Sequence, residues 1–117
     1  MRVGVLARSE YEWAAQSRGG RSAGMDDADV ARVIAGPAAP GNTALEAGLL
    51  RAADELYRDD AISDATWDAL AKELTQQQLF DLLLSFGAYR SASYAINSAG
   101  VQLDSNMAEF RFPAELR

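Results

Sequence analysis

Residues 76–99 read as one uninterrupted helix, and that helix constrains everything around it. Thr75 and Gln78 stand in capping-box spacing at its start, and Gly100 follows its last residue. Leu79, Phe80, Leu82, Leu83, Leu84 and Phe86 make its first half apolar around much of the circumference. A helix apolar on several sides is buried on several sides. In a chain of 117 residues, a partner subunit is the expected cover for one of them. The second half is different. Gly87, Ser91, Ala92, Ser93 and Ala95 are small enough to admit another helix closely. The stripe Leu79-Leu82-Leu83-Phe86 continues as Arg90, Ser93 and Asn97, so the core-facing side turns polar half-way along.

Four further helices and no strand are expected. The first spans about Val3 to Ala23 and stops at Gly24. Gly19 and Gly20 lie in its interior, each costing roughly 1 kcal/mol relative to Ala, which predicts a kink or break there. The second is short, capped by Asp26 or Asp27 and ended by Gly36-Pro37, with Val30, Val33 and Ile34 as its apolar stripe. The third opens at Thr43 and Glu46, another capping box, and buries Leu45, Leu49, Ala52 and Leu56 before the charged run Arg58-Asp59-Asp60. The fourth starts at Ser63-Asp64 and turns Trp67, Leu70, Ala71 and Leu74 inward. From Val101 to the end an extended tail is expected, with Pro113 blocking a last helix. The reading is therefore an all-α, single-domain bundle of about five helices over residues 1–117.

Two absences narrow the chemistry. With no Cys there is no disulfide, no thiol peroxidase step and no thiolate metal site. With no His, the commonest general base and the commonest metal ligand are missing. A net charge of −6 with scattered basic residues argues against a nucleic-acid surface. No apolar run long enough to span a membrane is present, and Glu10 and Glu12 interrupt any signal-peptide core, so the cytoplasm is the default location. Asp26, Asp27 and Asp29 are explained as caps and helix-dipole partners, so neither a metal nor a cofactor is called for.

Within the first helix, the stretch Ser9-Glu-Tyr-Glu-Trp-Ala-Ala-Gln16 places Ser9, Glu12, Trp13 and Gln16 on one face. Trp13 should make that face the buried one. A hydroxyl, a carboxylate and an amide are then aimed at the interior.

These features, taken in order, resemble the carboxymuconolactone decarboxylase family, whose superfamily includes the alkylhydroperoxidase-D-like proteins. The resemblance rests on "EYEW", the "GP..PG" loop, "LEAGLLRAADELYRD", "ISDATWDALA", Gln78-Leu79 and "FGAYRSASYAINSAGVQLD", and covers about Leu6 to Asp104. It implies an all-helical fold assembling as a trimer or hexamer, with sites near subunit contacts. The family's redox members carry Cys-x-x-Cys with a His four residues on. Here Ser9, Glu12 and Gln16 occupy those positions, so the resemblance does not extend to thiol chemistry. It also implies that residues 1–5 are the remainder of a longer N-terminal region.

Two functions follow from different classes. The first is a cofactor-free lyase or isomerase acting on a small organic acid. Loss of carbon dioxide leaves electron density to be stabilised and protonated. Glu12 is the candidate acid or base, its pKa raised if buried, and Arg90 is the candidate counter-charge. Ser9, Tyr11, Trp13, Gln16 and Asn97 are candidate substrate contacts. The second is a non-catalytic oligomer, binding or structural, or an inactive shortened product. In it, Glu12 is half-exposed or paired with Arg8, Tyr11 and Trp13 are packing residues, and Arg90 serves an interface.

Overall fold

Capping chemistry sets most of the helix boundaries. In the computed structural model, which describes residues 1–116, the helices are α1 (Arg2–Leu6), α2 (Glu10–Ser22), α3 (Asp27–Ala35), α4 (Ala44–Asp59), α5 (Asp64–Leu70) and α6 (Gln76–Ala99). Short 3-10 turns follow at Ser105–Phe110 and Ala114–Leu116, and no strand occurs among the described residues. The Thr43/Glu46 and Thr75/Gln78 capping boxes both close, each satisfying two backbone N–H groups that a helix start leaves open. Asp26 and Asp29 form a third. Gly100 ends α6 in the left-handed region at φ 63°.

The first predicted helix is divided, but not at its glycines. It breaks at Ala7–Ser9, where Arg8 takes φ 50° and the Ser9 N–H returns to the Gly4 carbonyl at 3.0 Å. α1 therefore folds back on α2. A Cβ on Gly4 would lie 2.8 Å from the Trp13 backbone nitrogen, so the absence of a side chain lets the two backbones meet. α2 then runs unbroken through Gly19 and Gly20. Gly20 makes room for Met25, whose sulfur a Cβ would approach to 2.6 Å, while Gly19 faces open space.

The tail is not extended. Met107 and Phe112 are buried, and Phe112 stacks on Trp13 at 5.8 Å between ring centroids. The large face of Trp13 left bare by α1 is covered by this segment. Pro113 leads into the last turn instead of preventing it, because the first positions of a helical turn need no N–H.

A second apolar cluster joins α4, α5 and the first half of α6. Ala52, Leu70 and Leu79 are buried at its centre, with Leu45, Leu49, Leu74, Leu82 and the half-buried Trp67 packed around them. α1, although only five residues long, packs against α2, α3, α4 and α6.

Three polar side chains hold helices together from a distance. Arg2 donates to the Val33 and Ile34 carbonyls at the end of α3 and forms a two-pronged pair with Asp54 of α4, at 2.6 and 3.0 Å. Arg90 donates to the Leu56 carbonyl near the end of α4, and Asn97 to the Ala7 carbonyl just after α1. Arg2 and Asn97 satisfy carbonyls that a helix C-terminus leaves without a partner, and Arg90 is a second donor to the Leu56 carbonyl beside the Asp60 N–H. The polar turn of the α6 stripe is thus a set of caps for other helices. Ser93, buried on the same stripe, bonds back to the Tyr89 carbonyl at 2.9 Å within its own helix.

Candidate functional site

The polar face expected on the first helix forms on α2. Ser9 is fully buried, and Glu12 and Trp13 are buried beside it. Ser9 precedes α2 in the capping position, yet its hydroxyl makes no cap bond and has no partner among the described residues. The Ser17 hydroxyl, two turns further on, is also buried without one. Glu12 forms neither a hydrogen bond nor an ion pair among the described residues, with Arg8 or any other group. Its one electrostatic neighbour is the Met1 amine, which burial pushes below its ordinary pKa while the Glu12 charge opposes that shift. Gln16 and Tyr11 are half-buried, and the Tyr11 hydroxyl donates to Asp104 at 3.3 Å. Trp13 is a packing residue between Gly4 and Phe112.

Arg90 does not join this group within one chain, whereas Asn97 lines a shallow pocket together with Tyr11, Arg8 and Glu10. Asn97 is exposed and spends its amide on α1. Arg90 lines a cleft of 540 Å³ between the end of α4, α5 and α6, which Glu12 does not reach. Ile62, Trp67, Leu83 and Phe86 form the hydrocarbon walls of that cleft. Asp60 and Arg90 mark its polar end, with the Arg90 Nη1 2.9 Å from the Asp60 carboxylate.

The Arg90 guanidinium is held from several directions. Its Nε donates to the Tyr94 hydroxyl at 2.7 Å and its Nη1 to the Leu56 carbonyl at 3.0 Å. Its carbon lies 4.9 Å from the Tyr57 ring centroid and 5.9 Å from that of Tyr94, within range for cation–π attraction. The hydrogen bond to Tyr94 raises its pKa, desolvation opposes, and Asp60 adds to the rise, so the group stays cationic. Asp60 reaches it because α4 ends there in the left-handed region, at φ 57° and ψ 17°, a conformation that Asp tolerates better than most residues.

Gly87 also lines the cleft. It sits in the middle of α6, and a Cβ there would meet nothing within 4 Å. α1 and α2 pack on α6, where Ser93 is buried, but no helix of this chain closes over Gly87. Its presence costs the helix about 1 kcal/mol relative to Ala, with no gain in packing inside the chain.

The sequence singled out Arg90 but not its surroundings. Tyr94, one turn ahead of Arg90, and Gly87, one turn behind it, were readable as helix neighbours. Tyr57, Asp60 and Trp67 come from other elements and carry no local signal pointing to Arg90.

No protein-family model matches the chain, and no curated protein or solved structure does either. Among the described residues no group of acidic side chains could hold a metal ion, and no helix is long and apolar enough to cross a membrane.

Proposed function

We propose that this chain is a self-associating, non-catalytic helical protein of the carboxymuconolactone decarboxylase-like type, working as a trimer or hexamer and not as a thiol peroxidase. The outer face of α6 carries this reading. Leu84 is 71% exposed, Phe80 51% and Tyr94 58%, on a helix whose opposite face already holds the buried Leu79 and Phe86. Large apolar side chains concentrated on one face favour a protein surface as their cover. The absence of Cys supports the exclusion of thiol chemistry.

Light scattering on the purified protein tests it. The expected mass is three or six times 12.6 kDa. Leu84→Glu should return the mass to that of one chain without loss of helicity, because residue 84 supports nothing inside the subunit. A wild-type mass of 12.6 kDa would overturn the proposal.

One observation favours a second reading, a lyase acting on a small organic acid. Glu12 is buried with no hydrogen bond or ion pair among the described residues, and Arg90 of a neighbouring subunit would supply the counter-charge. Glu12→Gln should then abolish turnover of such acids while leaving thermal stability near wild type. Retained turnover would remove Glu12 from the mechanism.

A further inference from the structure

The cleft beside Arg90 has properties that neither the fold nor self-association through Leu84 requires. Its walls are hydrocarbon and its polar end is a permanent cation. Two partners of that cation are structural, the Leu56 carbonyl and the Tyr94 hydroxyl. The third is Asp60, whose side chain is 86% exposed, so water and dissolved anions compete for its place. The remaining nitrogen, Nη2, makes no hydrogen bond among the described residues, although guanidinium offers its donors as a fork matched to a carboxylate. Gly87 leaves open the space that any other side chain would occupy.

We propose that this cleft is a binding site for a small amphiphilic carboxylate, with its hydrocarbon body against Trp67, Leu83 and Phe86 and its carboxylate on Arg90 in place of Asp60. The volume of 540 Å³ lies within the range typical of small-molecule sites. One arginine with no second cation suits a monoanion better than a phosphate ester. The overall charge of −6 does not prevent binding, since exposed charges are screened beyond about 8 Å at physiological salt. Asp60 then acts as a built-in competitor that keeps the guanidinium paired while the cleft is empty. This goes beyond self-association and is told apart from it, because one is read in mass and the other in ligand titration.

The test is a titration of the isotopically labelled full chain with octanoate, below its micelle concentration, and with the neutral octanamide. The Trp67 indole N–H reports on the cleft, and the buried Trp13 indole, stacked on Phe112, is the internal control. Octanoate should shift Trp67 and leave Trp13 in place, and octanamide should bind at least tenfold more weakly. Asp60→Asn should tighten octanoate binding roughly two- to fivefold, the range expected for removing an exposed competing charge. Arg90→Gln should weaken it tenfold or more. Because Arg90 also caps α4, Gly87→Leu is the second variant. It adds a good helix former where nothing obstructs its Cβ, and it should abolish binding in a folded protein. Equal binding of octanamide, equal shifts at both indoles, or unchanged affinity in Gly87→Leu would each overturn the site. Unchanged affinity in Asp60→Asn would overturn the role of Asp60 as competitor.

Discussion

Gly4→Ala lowers stability by about 3 kcal/mol, with Tm falling on the order of 10 °C. The added Cβ would stand 2.8 Å from the backbone nitrogen of Trp13 and 3.0 Å from its Cα. Backbone atoms inside a helix cannot rotate away as a side-chain end can. α1 must therefore lift off α2, and the lift is felt at every helix that α1 touches. Chemical denaturation of Gly4→Ala beside Gly19→Ala is the measurement. Gly19 meets nothing within 4 Å, so Ala there should stabilise α2 by about 1 kcal/mol. Losses of less than about 0.5 kcal/mol at Gly4 would mean that α1 and α2 do not meet as described.

Arg2→Met is the second large effect, a loss of about 2–3 kcal/mol. Met keeps the hydrocarbon stem and removes the charge. Asp54, only 25% exposed, is left without its partner, and the Val33 and Ile34 carbonyls lose their donor. Most of the cost comes from groups stranded in a partly dry place, so neutralising Asp54 should recover part of it. Asp54→Asn added to Arg2→Met should restore roughly 1 kcal/mol. If the two losses simply add, the pair does not hold α1 to α4.

Helix starts were legible because a cap is a local signal. Thr43 with Glu46 and Thr75 with Gln78 announce themselves within four residues, and Ser63 does so almost as clearly. Conformations that break the usual residue preferences were not legible. Arg8 in the left-handed region carries no mark that a Gly or Asn would carry, so the true break between α1 and α2 was silent. The Gly19-Gly20 pair gave the opposite error. Glycine reads as a helix breaker, whereas Gly20 serves as space for Met25.

The same division runs through the candidate site. Helical spacing correctly buried Ser9, Glu12 and Trp13 together, since that is a property of one helix. It also marked Arg90 and Asn97 as out of place on an apolar stripe. Spacing cannot name what such residues reach for, and their partners lie 34 and 90 residues away. Both partners are backbone carbonyls, which look alike in every sequence. The tail misled for a related reason. Nothing within Met107 to Phe112 says that it will cover Trp13; that need arises only once α1 and α2 have met.

This wiring has a bearing on how the molecule is made. During synthesis α1 and α2 leave the ribosome before the groups that hold them, since Asp54 follows Arg2 by 52 residues and Asn97 follows Ala7 by 90. Glu10, which receives the Phe112 N–H, waits 102 residues for it. A helix as short as α1 has no stability by itself. The α1–α2 hairpin therefore lacks the cover of Trp13 until Phe112 emerges, so it is secured later than the helices that follow it. α4 and α5 are joined by a short connection and pack on each other, so they can pair while the chain is still growing. The α1–α2 hairpin is thus the part of this fold most in need of shelter until residues 105–112 have emerged.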